Sequence, residues 1–278
     1  MKRLNGILGG VGLFIAAISL AVFMPSMAVS EGLTAFEIMK KVDKRDDGET
    51  SISEMTMILI DRKGNQRIKI MKGFRKDFGE DTKTISFFLS PEDERNVSFL
   101  SYEWEDESKE DDNWLYLPAL GRPKRISGSG KKGSFMGSDF SYADMNGLEL
   151  GDWDFKIVQE SAMVKDQDCW IIEAVPKASK REKVSDETGY KKTISWVRKD
   201  IFMTIQSRLY LEKGGKYKNF IASDIEKIQG IWTAKKLSMI QLKGKTVEHS
   251  TVLQFDSLEY NKGVEDNMFT VQRMVRGL

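Results

Sequence analysis

The sequence predicts an α+β fold in which strands predominate, built on one large antiparallel sheet of about 11 strands. Short runs of alternating apolar and polar residues recur along the chain, and turns rich in Gly, Asp, Asn or Lys separate them at hairpin spacing. A single amphipathic helix pattern precedes these runs. No internal repeat, proline-rich linker or shift in composition marks a domain boundary. Residues 29–278 are therefore expected to form one domain.

The first 28 residues are predicted to be a cleavable signal peptide. Lys2 and Arg3 give it a positive start, an apolar run follows at 7–23, and small residues precede a cleavage site after Ala28. A permanent membrane anchor is the alternative, but the apolar run is near the short end for a membrane span. We therefore expect export to the periplasm.

Charge and cysteine content narrow the function classes. The 278-residue chain carries 43 Lys and Arg against 42 Asp and Glu, a balance that does not favour nucleic acid as a partner. The one cysteine, Cys169, cannot form an internal disulfide, and an exported protein without disulfides is typical of bacteria. Because Cys169 lies far from the predicted mature N-terminus, we expect the mature protein to be soluble, without a lipid anchor of its own.

Residues 33–45 are predicted to form the helix. Thr34 is a suitable N-cap, and Glu37 three residues later completes a capping box. The apolar stripe consists of Phe36, Ile38, Met39 and Val42.

Strands are predicted along the rest of the chain, with a last helix or turn after Asp266. The predicted strands lie at 55–60, 66–74, 84–89, 97–104, 114–117, 153–158, 169–175, 193–197, 201–211, 220–228, 237–242 and 252–258. So many strands must curl or split into two layers. The residue patterns leave a sandwich, a closed barrel and a half-barrel open.

Enzymatic chemistry finds little support in the sequence. His249 lies in a polar setting that favours a surface role, and no G-x-S-x-G motif presents a serine nucleophile. Cys169 alternates with Ile171, as a small core residue does. Residues 128–132 lack the spacing of a phosphate-binding loop, and the acidic run at 103–112 lacks that of a calcium loop. We expect no catalytic residue, no metal and no cofactor.

Several strands are apolar on both faces, which an open sheet with one wet face does not require. Trp114 and Tyr116 oppose Leu115 and Leu117, while Trp170 and Ile172 show the same pattern against Cys169 and Ile171. Either helices cover both faces or a cavity lies on one of them. The 14 methionines favour a surface that repacks around varied apolar ligands, although an ordinary core explains them equally.

A glycine-rich loop follows the strand at 114–117 and combines basic with large apolar side chains. The basic side chains belong to Arg122, Lys124, Arg125, Lys131 and Lys132. They suit contact with anionic headgroups or a membrane surface, and a solvated loop is the alternative. Phe135, Met136 and Phe140 are expected either to be exposed, as the apolar part of such a contact, or to fold back as a lid over a cavity.

Two motifs carry a family resemblance. W-L-Y-L-P-x-x-G-x-x-x-R-I at 114–126 and G-S-F-M-G-S-D-F-S-Y-x-D-M at 133–145 resemble the LolA-like proteins of outer-membrane lipoprotein sorting, within the LolA/LolB superfamily. The resemblance implies a strongly curved antiparallel half-barrel with helices filling its mouth. It also implies loading by an inner-membrane transporter and delivery to the outer membrane or an acceptor there.

The leading hypothesis is a periplasmic carrier that binds the acyl chains of lipoproteins or free lipid in an apolar cavity. A partner subunit of an inner-membrane lipid exporter, which carries no cargo, is the alternative. The predicted cavity residues are Phe36, Met39, Met55, Met57, Leu59, Phe87, Trp114, Tyr116, Trp170, Ile172, Trp196, Ile201, Met203, Ile205 and Leu209.

Overall fold

A computed structural model describes residues 32–106 and 108–278. Residues 33–278 form one compact unit. The predicted signal peptide, residues 1–28, lies outside the described residues.

The first helix begins as its sequence predicts. Helix α1 spans Ala35–Asp43, and its N-cap is Thr34. The Thr34 hydroxyl accepts a hydrogen bond from the Glu37 amide at 3.2 Å, and the Glu37 carboxylate accepts one from the Thr34 amide at 2.8 Å. This reciprocal pair satisfies two amides that a helix end otherwise leaves unpaired.

Thirteen strands follow in the described part of the chain, together with three further short α-helices. The strands are β1 Thr50–Asp61, β2 Gln66–Phe78, β3 Asp81–Ser90, β4 Ser98–Glu103, β5 Asp112–Leu117, β6 Arg122–Ile126, β7 Trp153–Val164, β8 Gln167–Pro176, β9 Tyr190–Arg198, β10 Met203–Leu211, β11 Lys216–Ile228, β12 Ile231–Lys243 and β13 Thr246–Tyr260. The helices are α2 Tyr142–Asn146, α3 Arg181–Thr188 and α4 Val271–Arg276.

All thirteen strands belong to one antiparallel sheet, in the order β6-β5-β4-β3-β2-β1-β13-β12-β11-β10-β9-β8-β7. The sheet is two meanders joined where β1 pairs with β13. The prediction of a mostly-β fold with one open, curled antiparallel sheet is confirmed. The count exceeds the predicted one, and the strand missing from the predicted ranges is β6. The charged residues of β6 and its Pro123 are typical of a loop. Both are also compatible with a strand at the edge of a sheet, where β6 lies.

The strand order places the two ends of one connection at opposite edges of the sheet. Residues 127–152 join β6 to β7, the two edge strands. A flat sheet of this size would separate these edges by about 58 Å, at about 4.8 Å per strand. The connection crosses one face of the curled sheet instead, and we call that face the inner face.

The crossing segment is part of the hydrophobic core. Phe135 is fully buried, with its ring centroid 5.3 Å from that of Phe99 and 6.1 Å from that of Phe88. Phe140 and Tyr142 are also buried in this cluster. The alternative that the aromatic side chains of this loop are exposed is therefore wrong. The reason is tertiary, because the sheet supplies an apolar floor that the loop sequence does not reveal.

The C-terminal segment covers the opposite, outer face over β2 to β5. Phe269 and Met274 are fully buried there, against a cluster that includes Phe87 and Tyr116. The Tyr102 hydroxyl donates to the Phe269 carbonyl at 2.6 Å. Helix α4 thus explains why β5 is apolar on both faces: one face meets the crossing segment and the other meets the C-terminus.

Replacing Phe135 by Ala tests the core role of the crossing segment. Because Phe135 is buried among aromatic rings, the variant should lose about 3–5 kcal/mol of unfolding free energy in a denaturant titration. Phe36→Ala is the matched control: its side chain is 47% exposed, so it should change stability by less than about 1 kcal/mol. A Phe135 variant as stable as the control would mean that this segment is a surface loop.

Candidate functional site

An apolar cavity of about 290 Å³ lies on the inner face. Helix α1, the end of the crossing segment and strands β9 to β12 enclose it. Its apolar lining consists of Met39, Val42, Phe140, Leu148, Leu150, Tyr190, Leu209, Phe220 and Met239. Ligand pockets usually range from about 300 to 1,000 Å³, so this cavity alone is at the small end.

A second cavity continues the first. This neighbouring cavity, of about 410 Å³, shares Val42, Thr204 and Phe220 with the apolar cavity. Its other apolar walls are Met203, Ala222, Leu237, Phe255 and Leu258. Arg45, Asp47 and Arg75 also line it, so the two neighbouring cavities together offer apolar walls for a hydrocarbon chain and a charged end.

Polar contacts fix the wall of the apolar cavity to its floor. Asp144 belongs to the capping box of α2 with Ser141, and its carboxylate accepts from the Tyr190 hydroxyl at 2.8 Å. Lys218 lies 3.4 Å from the same carboxylate. Burial, together with the negative charge of Asp144, raises the pKa of Tyr190 well above its ordinary value. Tyr190 thus remains a neutral donor and holds α2 against β9.

An acidic cleft of about 590 Å³ opens beside the apolar cavity. The two share Asp43, Leu148 and Leu150 as lining residues. Two carboxyl groups in the cleft titrate far above their ordinary range. Burial, followed by the charge of Asp111, raises the pKa of Glu103 to about 8 and that of Glu149 to about 7.

The five basic residues predicted to form an exposed strip lie in two different environments. Arg122, Lys124 and Arg125 are exposed on edge strand β6, where Arg125 pairs with Asp112. Lys132 is also exposed and lies 3.7 Å from Asp186.

Lys131 is buried, so it does not belong to an exposed strip. Its ammonium lies 3.1 Å from the Glu110 carboxylate and 3.6 Å from that of Glu187. These pairs tie the crossing segment to α3 and to the chain just before β5.

The predicted cavity residues fall into separate environments. Met39 and Leu209 line the apolar cavity, and Met203 lines the neighbouring cavity. Phe36 lines the acidic cleft. Met55, Met57 and Leu59 lie on the inner face, packed in the same cluster as Phe135.

The remaining candidates lie elsewhere. Phe87, Trp114 and Tyr116 belong to the outer-face cluster under the C-terminal segment, so they do not line the inner cavities. Trp170 and Ile172 pack against α1. A further cluster near the β9–β10 turn contains Trp196, Ile201, Met203 and Ile205. Alternate residues of a strand face opposite sides of the sheet, and the sequence does not tell which side holds a cavity. The assembled sheet is needed to assign each candidate to a face.

The sequence analysis did not predict several residues that line the apolar cavity. Tyr190, Phe220 and Met239 lie on the cavity floor, and Leu148 lies on its wall. Alternation in β11 and β12 could have selected Phe220 and Met239, because each is an inward member of a period-two run. Leu148 carries no such signal, since it lies in an irregular segment.

The reactive residue types have ordinary settings. His249 is half exposed and its Nδ1 lies 3.7 Å from the Asp139 carboxylate. Cys169 is fully buried, and burial raises the pKa of its thiol. Over the described ranges, no group of three or more His, Cys, Asp and Glu side chains is arranged to hold a metal ion. Within the same ranges, no helix has the length and apolar character of a membrane span.

Comparisons with known proteins agree with this architecture. A family model whose members are described as uncharacterized proteins matches residues 80–276. No curated protein matches the sequence significantly.

Three solved structures are similar over most of their length. A domain named for outer-membrane lipoprotein sorting, from Vibrio parahaemolyticus, is 28% identical with a TM-score of 0.76, covering 87% of this chain and 98% of that one. A DUF1329 family protein from Desulfovibrio piger is 28% identical with a TM-score of 0.75, covering 86% and 97%. A LolA superfamily protein from Nitrosomonas europaea, 16% identical with a TM-score of 0.64 over 86% and 98%, shares the fold.

The resemblance of residues 114–145 to lipoprotein-sorting proteins is thus confirmed. The chain belongs to the DUF1329 family, which has the LolA-like fold of outer-membrane lipoprotein-sorting domains.

Proposed function

We propose that this protein is a periplasmic carrier that binds the acyl chains of lipoproteins or lipids on its inner face. It would pass them from the inner membrane towards the outer membrane. The observation that carries the proposal is the apolar cavity under α1, which continues into the neighbouring cavity.

A carrier must match the bilayer that supplies its cargo. An acyl chain of about sixteen carbons gains about 12 kcal/mol on leaving water, at about 0.8 kcal/mol per CH₂. A cavity that offers much less never loads, and one that offers much more never unloads. Met39 and Met239 in the lining suit this balance because methionine repacks around chains of different shape.

The partners of such a carrier follow from its route. An inner-membrane transporter would load it and an outer-membrane acceptor would receive its cargo. The name of the similar Vibrio parahaemolyticus domain, outer-membrane lipoprotein sorting, supports this route.

A second candidate is a partner subunit of an inner-membrane lipid exporter that binds protein and carries no cargo. The packing of Phe135 and Phe140 favours it, because these side chains fill the inner face under β1 to β5. The space under β9 to β12 remains open, and for that reason we prefer the carrier.

Native mass spectrometry of the gently purified protein separates the two candidates. The carrier should retain a lipid, seen as a mass increment that organic extraction removes, because the cavity wall shields apolar surface. Apo protein that also fails to take up a fluorescent fatty acyl probe would support the exporter subunit.

Filling the apolar cavity should block uptake. Met39 lines the cavity from α1, so Met39→Trp should weaken binding of a fluorescent acyl probe by at least about tenfold, the value of about 1.4 kcal/mol. Phe36→Trp lies on the same helix with its side chain 47% exposed, and it should bind the probe like the wild type. Equal binding by both variants would place the acyl chain outside this cavity.

Lipid transfer without covalent chemistry predicts that His249 is dispensable. The His249 side chain is half exposed, lies 3.7 Å from the Asp139 carboxylate and is not among the residues that line either cavity. His249→Ala should therefore leave the rate of lipid transfer between donor and acceptor vesicles within about twofold of wild type. Complete loss of transfer would instead support a hydrolase.

A further inference from the structure

The inner faces of β4 and β5 change in character along their length. In β4 the inward series runs from Phe99 through Ser101 to Glu103, and Leu115 and Asn113 follow the same order in β5. Asp111, just before β5, completes the acidic end. The inner face is thus apolar where it meets the crossing segment and acidic where it meets the cleft.

An unpartnered acceptor lies at the middle of this gradient. The Asn113 side chain is 1% exposed. Its Oδ1 has no hydrogen-bond partner among the described residues. Asn113 lines a small pocket of about 40 Å³ together with Asp111, Leu148 and Glu149, which we call the amide pocket. A buried acceptor without a donor is destabilising, so a ligand that brings a donor to this pocket would be favoured.

Three acidic side chains at the end of the amide pocket that faces the cleft form no ion pair among the described residues. Asp111 accepts hydrogen bonds from the Trp104 amide and the Asn146 side chain. No ion pair or side-chain hydrogen bond joins Glu103 or Glu149 to another of the described residues. Burial and the mutual repulsion of these carboxylates raise the pKa values of Glu103 and Glu149.

Of the four basic side chains that line the cleft, Lys44 and Arg75 form ion pairs with carboxylates that also line it. Lys44 lies 2.7 Å from Glu105, and Arg75 lies 3.1 Å from Asp47 and 2.9 Å from Asp77.

Two lysines on the other side of the pocket also form ion pairs. Lys183 pairs with Asp152 at 2.7 Å, and Lys131 pairs with Glu110 and Glu187. Both favour the charged form of Glu149 from a distance, and even so its pKa stays near 7. The acidic side chains that line the amide pocket therefore outnumber the basic ones.

The amide pocket and the apolar cavity share four lining residues, Ala143, Gly147, Leu148 and Thr188. Leu148 lines the amide pocket, the acidic cleft and the apolar cavity. A ligand with a hydrocarbon chain in the apolar cavity can therefore place its head group beside Asn113 and Glu149.

We propose that the amide pocket binds the primary ammonium group of an amphipathic ligand whose hydrocarbon chain occupies the apolar cavity. The inference rests on the proposed carrier function and names the head-group class of its cargo. A primary ammonium has three N–H donors, which suit the Asn113 acceptor and the carboxylates of Asp111 and Glu149. A quaternary ammonium has no such donor, and a carboxylate or phosphate head group would meet like charges.

Matched probes with one chain length test the head group. Dodecylamine, dodecanol and dodecanoate, each below its critical micelle concentration, would displace a neutral fluorescent probe from the wild-type protein. Dodecylamine should bind at least about tenfold more tightly than dodecanol, the value expected of charge-assisted hydrogen bonds. Dodecanoate should bind more weakly than dodecanol.

Two variants localise the effect. Glu149→Gln and Asn113→Leu should each reduce dodecylamine affinity several-fold, and a thermal unfolding midpoint close to that of the wild type shows that the variants fold. Glu182→Gln, an exposed carboxylate on α3, should keep the full preference. An amine preference that survives Glu149→Gln would overturn the assignment.

The preference should also depend on pH. Glu103 and Glu149, with pKa values of about 8 and 7, lose their protons between about pH 6 and 9, whereas an alkylamine stays charged below about pH 10. Amine affinity should therefore rise over this range while dodecanol affinity stays constant. Arg75, Asp47, Asp111 and Asp152, with Lys131 and Lys183, are the charged groups that face these two carboxyls.

The outcomes separate this inference from the carrier proposal. If dodecanol binds and dodecylamine binds no better, the ammonium site is wrong and the carrier stands. If none of the three probes binds, both proposals fail together.

Discussion

The crossing segment between β6 and β7 is the constraint on which the rest of the structure depends. Its ends are fixed at the two edges of a thirteen-stranded sheet, so it must traverse the inner face. Lys69, itself buried, donates to the Met136 carbonyl at 2.5 Å. The Asp139 amide donates to the Thr251 hydroxyl at 2.9 Å, which fixes the segment to β13. Met136 has a left-handed backbone (φ 49°, ψ 38°), a cost of about 1–2 kcal/mol for a residue with a side chain that these contacts offset.

This crossing divides the inner face into a filled half and an open half. Under β1 to β5, aromatic side chains of the segment take the place that a ligand could occupy. Under β9 to β12, the segment returns as α2 and an irregular stretch, and it leaves the apolar cavity against α1. The loop that the sequence suggested as a lid is thus a core element for its first half and a cavity wall for its second.

Basic and acidic side chains also occupy different parts of the sheet. Basic residues of β6 stand on an edge strand, where charged side chains also discourage edge-to-edge pairing with another sheet. Buried Lys131 stabilises the crossing segment through its two carboxylate partners. The acidic cleft lies beside the apolar cavity, and the carboxyl groups of Glu103 and Glu149 there give the inner face a polar end that suits an amphipathic ligand.

The sequence by itself determined the elements and their class. Local rules were sufficient for this, because a capping box at Thr34 and period-two alternation in the strands depend on near neighbours alone. The motif at 114–145 also identified the family. Tertiary structure alone decided which strand faces line a cavity, that Phe135 belongs to the core, and that Asn113 and Glu149 line one pocket. These residues are far apart along the chain, and only the curl of the sheet and the path of the crossing segment bring them together.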